Sequence, residues 1–310
     1  MQVVSISPRG YCYGVVDALT MVRRVAADPD VPRPIHVLGM IVHNSHVVAD
    51  LDRLGIVTLD GEDRERLLDR IERGTVIFTA HGVSPHVKRR AEERGLRCFD
   101  ATCPDVTRTH QVIVDRVAQG FEIVYIGKKG HPEPEGAMGQ APGHVHLVES
   151  LEDLERLALP EGPVAVVTQT TLSQWDTQAL IDACQERYPD AEVFNEICLA
   201  TQVRQQAVAQ QSKEADLVLV VGDSRSNNTN RLVQVAHEIS GKPAYRIGTV
   251  ADIAPEWLSG VQTVAVTAGS STPSQLVNQV IAYLRGIDGD AMAPPPEPVA
   301  VRLPGARPAS

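Results

Sequence analysis

Pro8-Arg9-Gly10-Tyr11-Cys12-Tyr13-Gly14-Val15 sets a cysteine in a glycine turn just ahead of an apolar-periodic segment, the pattern of a helix start. The pattern recurs at Asp100-Ala101-Thr102-Cys103-Pro104-Asp105 and at Glu196-Ile197-Cys198-Leu199-Ala200-Thr201, so three cysteines stand at three predicted helix starts. Used as register marks, they expose a threefold repeat. From Cys12 to Gly39, Cys103 to Gly127 and Cys198 to Gly222 the chain runs 27, 24 and 24 residues, each time through a helix and an apolar strand. A second apolar strand ends in Thr79, Thr168 and Thr267, which lie 40, 41 and 45 residues past those glycines.

These strands, such as Ile123-Val124-Tyr125-Ile126 and Leu217-Val218-Leu219-Val220-Val221, are nearly continuous in Val, Ile and Leu. That is the pattern of parallel strands buried on both faces in βα units, with ligands collecting at the loops beyond the strand ends. The fold class read from the chain is therefore α/β, with three similar domains arranged as a pseudo-threefold trefoil. Boundaries follow the repeat: an N-terminal strand with the first cysteine over 1–12, α/β domains over 13–102, 103–197 and 198–286, and a Pro-rich tail over 287–310. The tail, with Ala293-Pro294-Pro295-Pro296-Glu297-Pro298 and Pro304, has a mobile linker's composition, and its Val299-Ala300-Val301-Arg302-Leu303 run reads as an edge strand.

A formal charge of -10 opposes a nucleic-acid-coating role but leaves room for a local anion site. The first residues lack a basic stretch leading into an apolar run, and no run of 18 apolar residues occurs, so a cytoplasmic chain without membrane spans is expected. Five cysteines at wide spacing fit neither a disulfide framework nor close zinc-binding pairs. Cys98 and Cys184 fall in apolar patterns and read as core residues.

A helix start favours a thiolate, because free N–H groups and the helix dipole stabilise negative charge there. Three such thiolates could bind zinc with a histidine, or hold an iron–sulfur cluster with one iron left open to substrate. Four residues past the repeat glycines stand His43, His131 and Ser226, and the loops after the second strands carry His81, Thr170, Ser270 and Ser271. With Asn228 these are the donors of a phosphate or diphosphate cradle. Glu133, between Pro132 and Pro134, is a rigidly directed candidate proton donor, and Glu135 could share that role.

The cysteine motifs quoted above, together with Val42-His43-Asn44, Thr79-Ala80-His81-Gly82-Val83-Ser84, Gly130-His131-Pro132-Glu133 through Glu135-Gly136, Thr168-Gln169-Thr170-Thr171-Leu172-Ser173 and Thr267-Ala268-Gly269, resemble the IspH (LytB) family of 4-hydroxy-3-methylbut-2-enyl diphosphate reductases. The resemblance runs from about residue 3 to residue 285. It implies a trefoil around a [4Fe-4S] cluster held by Cys12, Cys103 and Cys198, with one open iron that takes the substrate hydroxyl and is lost to a three-iron form on oxidation. It also implies a diphosphate held by His43, His81, His131, Ser226, Asn228 and Ser271, with Asn227 beside them, and proton delivery by Glu133 with Thr170 and His131 nearby. Two single electrons would come from ferredoxin or flavodoxin, and the products would be isopentenyl and dimethylallyl diphosphate, the last step of the methylerythritol phosphate route. The chain departs from the family's frequent pattern at Tyr13, where alanine is usual, and at Asn227, where serine is usual. A metal-dependent phosphohydrolase, with the three histidines as ligands, and a non-catalytic iron–sulfur sensor are the competing readings.

Overall fold

The computed structural model describes residues 1–61, 63–287 and 294–302. In chain order the regular elements are β1 (Gln2–Ser5), α1 (Tyr13–Ala27), β2 (Ile35–Leu38), α2 (Ser45–Arg53), β3 (Ile56–Leu59), α3 (Arg64–Asp69), β4 (Thr75–Phe78), α4 (Pro85–Glu93) and β5 (Arg97–Asp100). The second stretch holds α5 (Pro104–Ala118), β6 (Glu122–Ile126), α6 (Pro132–Met138), β7 (Val145–Val148), α7 (Leu151–Arg156), β8 (Val164–Thr168), α8 (Gln174–Arg187) and β9 (Glu192–Phe194). The third holds α9 (Leu199–Gln211), β10 (Leu217–Val221), α10 (Asn227–Glu238), β11 (Ala244–Ile247), β12 (Thr263–Ala268) and α11 (Ser274–Arg285).

Three four-stranded parallel sheets result, with orders β3-β2-β4-β5, β7-β6-β8-β9 and β1-β12-β10-β11. Reading the third from its other edge gives β11-β10-β12-β1, the same plan with the N-terminal strand in the fourth place. The repeat therefore closes on the chain's own start. The two central strands of each sheet are the apolar runs legible in the sequence, and they are buried almost throughout. Parallel strands with helices on both faces have no solvated face, which is why these runs lack polar alternation.

By internal contacts the chain forms two compact units: Met1–Val15, His43–Asp50 and the described residues from Leu199 on, and Val16–Val42 with Leu51–Cys198. The first contains the β1-β12-β10-β11 sheet, whose core joins Leu219, Val221, Val264, Val266, Leu276 and Val280. The second contains the other two sheets, with cores around Phe78 and Leu68 and around Val166 and Ile181.

The tail differs from its reading. Residues 294–302 form no strand, and rather than running free they lie along α11: Gln279 donates to the Glu297 carbonyl and accepts from the Val299 N–H, and Gln275 donates to the Arg302 carbonyl. Val301 is buried in the first unit's core. The side chains of Gln275 and Gln279 take up the Glu297 and Arg302 carbonyls and the Val299 N–H, so these backbone groups are satisfied without a strand partner. Ala293, Leu303 and Pro304 lie outside the described residues.

Candidate functional site

Each cysteine is fixed by an equivalent hydrogen bond. The N–H of Cys12 donates to the Ser270 carbonyl at 3.2 Å, that of Cys103 to Ala80 at 3.0 Å and that of Cys198 to Thr170 at 3.0 Å. The three acceptors occupy the same loop of the repeat, directly after β12, β4 and β8. Each cysteine thus joins the end of a fourth strand to the start of a helix, and Cys103 is itself the N-cap of α5. All five cysteines are free thiols. Three soft sulfur donors at helix starts, tied to strand-end loops, suit an iron–sulfur cluster, and Cys98 and Cys184 stand apart from them in β5 and α8. Burial raises both of those thiols' pKa values, the Cys184 thiol to about 11, as expected of core residues.

The second unit assembles an acid. Glu133, 2% exposed, sits in the first turn of α6, where Pro132 and Pro134 cost nothing because those N–H groups lie outside the helical ladder. Its Oε1 accepts a 2.7 Å bond from the Thr170 N–H. Burial pushes the carboxyl pKa up to about 7, against the opposing pull of hydrogen bonds from Thr170 and Gln169. A carboxylic acid poised near neutrality is a competent proton donor. Glu135 does not share this place: its Oε2 lies 4.0 Å from Arg64 and its side chain is half exposed.

His131 caps α6. Its Nδ1 accepts from the Glu133 N–H and from Gln169 Nε2, both at 3.2 Å. A nitrogen accepting two N–H bonds carries no proton, so the ring is neutral with its proton on Nε2. His81 meets His131 edge to face, with ring centroids 5.3 Å apart. The loop carrying His81 is shaped by Gly82, at φ +77°, where a Cβ would approach His110 Cε1 to 2.8 Å. Gln169, fully buried, was not assigned a role from the sequence. It donates to His131 and to Thr171 Oγ1 and accepts from the Lys128 N–H. Its place in a repeated strand-end loop was the available signal.

In the first unit, Ser226 caps α10 through a 3.3 Å bond from the Thr229 N–H. Asn227 and Asn228 follow in the first turn, all three buried. Both amide atoms of Asn228 are buried without a protein partner. An orphaned donor and acceptor at a helix N-terminus call for a ligand, and an anion is the ligand favoured there. Ser271 Oγ donates to the His43 carbonyl at 2.9 Å, fixing that histidine's loop to the loop after β12. Close packing holds the floor of this region: a Cβ at Gly269 would fall 2.0 Å from Thr229 Oγ1.

Three parallel sheets, with cysteines at equivalent helix starts, a buried carboxyl whose pKa is pushed up to about 7 and an anion-seeking helix start, form an α/β enzyme framework. The chain belongs to the LytB protein family, matched over residues 3–285. It is 62% identical over 285 residues to the 4-hydroxy-3-methylbut-2-enyl diphosphate reductase of Symbiobacterium thermophilum, covering 92% of this chain and 97% of that one. The enzyme of that name from Brevibacillus brevis is 60% identical over 288 residues, with 93% of each chain covered. Among solved structures, the E-1-hydroxy-2-methyl-but-2-enyl-4-diphosphate reductase of Plasmodium falciparum superposes with a TM-score of 0.85 at 33% identity, covering 92% of this chain and 88% of that one. A second, titled (E)-4-hydroxy-3-methyl-but-2-enyl diphosphate reductase, the terminal enzyme of the non-mevalonate pathway, gives 0.65 at 31% identity and covers 93% and 100%. Among the described residues no helix is long and apolar enough to cross a membrane.

Proposed function

We propose that the protein is a cytoplasmic 4-hydroxy-3-methylbut-2-enyl diphosphate reductase, which removes the allylic hydroxyl to give isopentenyl and dimethylallyl diphosphate as the last step of the non-mevalonate route. The reaction consumes two electrons and two protons and releases water. The observation that carries the reading is the buried Glu133, whose carboxyl stays protonated to about pH 7, in a relative of reductases that are 60% identical and more.

Cys12, Cys103 and Cys198 would hold the iron–sulfur cluster, a [4Fe-4S] group with one open iron. That group supplies single electrons and a Lewis-acidic position for the leaving oxygen. Ser226, Asn227, Asn228 and Ser271, with His43, His81 and His131, bind the diphosphate, and their N–H and O–H groups match its negative oxygens. His131, neutral with its proton on Nε2, donates a hydrogen bond without adding charge. Glu133 gives its proton to the departing hydroxyl so that it leaves as water, and the Thr170 N–H takes up the developing carboxylate charge. Ferredoxin or flavodoxin supplies the electrons, and the domain boundaries proposed are those of the repeat, 13–102, 103–197 and 198–286. The relatives named above are reductases, neither phosphohydrolases nor sensors.

The test is turnover of the allylic diphosphate by anaerobically purified protein with a chemically reduced viologen dye. Formation of the two five-carbon diphosphates is expected. Hydrolysis to free phosphate, or no conversion by iron-replete protein, would contradict the assignment.

A further inference from the structure

Arg204 lies on α9 and is 5% exposed. Its guanidinium braces two chain segments. Nη1 donates to the Ala200 carbonyl at 2.7 Å, which steadies the first turn of the helix that opens directly after Cys198. Nη2 donates to the carbonyls of Gly10 at 2.8 Å and Tyr11 at 3.2 Å, the two residues just before Cys12.

The Tyr11 carbonyl belongs to the peptide whose nitrogen is that of Cys12. This one peptide is therefore held from both sides, its carbonyl by Arg204 and its N–H by the Ser270 carbonyl at 3.2 Å. The turn before it is fixed as well, because Gly10, at φ +70°, donates to the Ala268 carbonyl and accepts from Arg204. Burying a guanidinium forfeits much of its hydration, and an apolar side chain would pack in the same place at lower cost. The charge itself therefore points to a use beyond packing.

A cation bonded to the peptide of a thiolate ligand has a defined electrostatic effect. Reduction adds one electron to a cluster, and so one negative charge, which a fixed positive charge nearby favours. The planar fork of arginine is also what lets one side chain reach carbonyls in two segments at once.

We propose that Arg204 is a positioning residue for the redox group: it holds the Cys12 peptide in place and raises the reduction potential of the cluster bound there. The inference rests on the reductase reading above, in which Cys12 is a cluster ligand, and its test separates the two.

The experiment compares the anaerobically purified, cluster-loaded parent with Arg204→Gln, Arg204→Lys and Arg24→Gln. The midpoint potential is read by a dye-mediated titration followed by electron paramagnetic resonance, with iron and sulfide content and dye-driven turnover in parallel. Arg204→Gln should lower the ratio of reduced to oxidised cluster at a fixed potential about tenfold, a fall of about 59 mV for one electron. Arg204→Lys, which keeps the charge and loses the fork, should lie closer to the parent than Arg204→Gln does. Arg24→Gln, which removes an equal charge from the exposed last turn of α1, should leave the ratio within about twofold, because a solvated surface charge is screened. An unchanged ratio in Arg204→Gln at full iron and sulfide content, or an equal fall in Arg24→Gln, would overturn the assignment. Should Arg204→Gln fail to fold, Arg204→Met removes the charge without burying an amide, and the same comparison of ratios decides. A parent that fails to reduce the allylic diphosphate with dye counts against the reductase reading, whereas a normal parent beside an unshifted Arg204→Gln counts against this role alone.

Discussion

The Thr170 backbone links the acid to the thiolate loop: its N–H donates to Glu133 Oε1 at 2.7 Å and its carbonyl accepts from the Cys198 N–H at 3.0 Å. One peptide segment therefore sets both the direction of the Glu133 carboxyl and the place of Cys198. This coupling explains how a carboxyl can be buried yet aimed.

Glu133 makes stability depend on pH in a predictable sense. Its pKa is raised from 4.5 to about 7 by burial, so between those values the folded chain holds a proton that the unfolded chain has released. Stability is lost as pH rises through that window, and Glu133→Gln removes the loss. Urea unfolding of both proteins at about pH 5 and about pH 8 should show the variant gaining on the parent by up to roughly 3 kcal/mol at the higher pH. Parallel pH profiles would show that the carboxyl is not held protonated.

Gln169 and the Glu133 N–H both face His131 Nδ1, and together they keep the ring proton on Nε2. Gln169→Glu replaces the N–H donor facing Nδ1 with an oxygen, which favours a proton on Nδ1 instead. Nitrogen-15 spectra of the histidine rings should show the change of tautomer, and KM should rise about tenfold or more through the lost Nε2–H donor. An unchanged His131 signal would contradict the assignment.

Cys103→Ser should lose iron and sulfide together, whereas Cys184→Ser should retain both. Metal and sulfide analysis of anaerobic preparations distinguishes the two, since a fully loaded Cys103→Ser protein would remove Cys103 from the ligand set.

Gly269→Ala places a methyl against Thr229 Oγ1 beneath the Asn228 helix start. Overpacking there should cost about 1 to 3 kcal/mol in thermal or urea unfolding and weaken diphosphate binding. A variant as stable as the parent would show that the helix can shift without penalty.

The central strands were legible because burial on both faces leaves a continuous apolar run, as in Leu217 through Val221. Their neighbours were not: β5, Arg97-Cys98-Phe99-Asp100, with a charged residue at each end, and β9, Glu192-Val193-Phe194, with one at its start, are short, half-exposed edges. Nothing local distinguishes them from loops, and the closing of the third sheet by β1 depends on a pairing with Thr263 to Val266 near the other end of the chain. Glu133 and the cysteines stood out because spacing and neighbouring prolines mark them. Gln169 did not, since its role arises only when His131, Thr171 and Lys128 are brought around it. The 299–303 run reads as an edge strand, yet its described residues form none, and the contact is made by the buried Val301 and by the Gln275 and Gln279 side chains of α11.

The most direct measurement is single-turnover reduction by Glu133→Gln beside its parent, both anaerobic, with equal iron and sulfide content and dye as the electron source. The account predicts that the variant binds the allylic diphosphate with an affinity near the parent's and forms product at least about 100-fold more slowly, because amide and acid share size but only the acid donates a transferable proton. Product formation at a rate near the parent's would contradict the central claim that Glu133 supplies the proton with which the hydroxyl leaves.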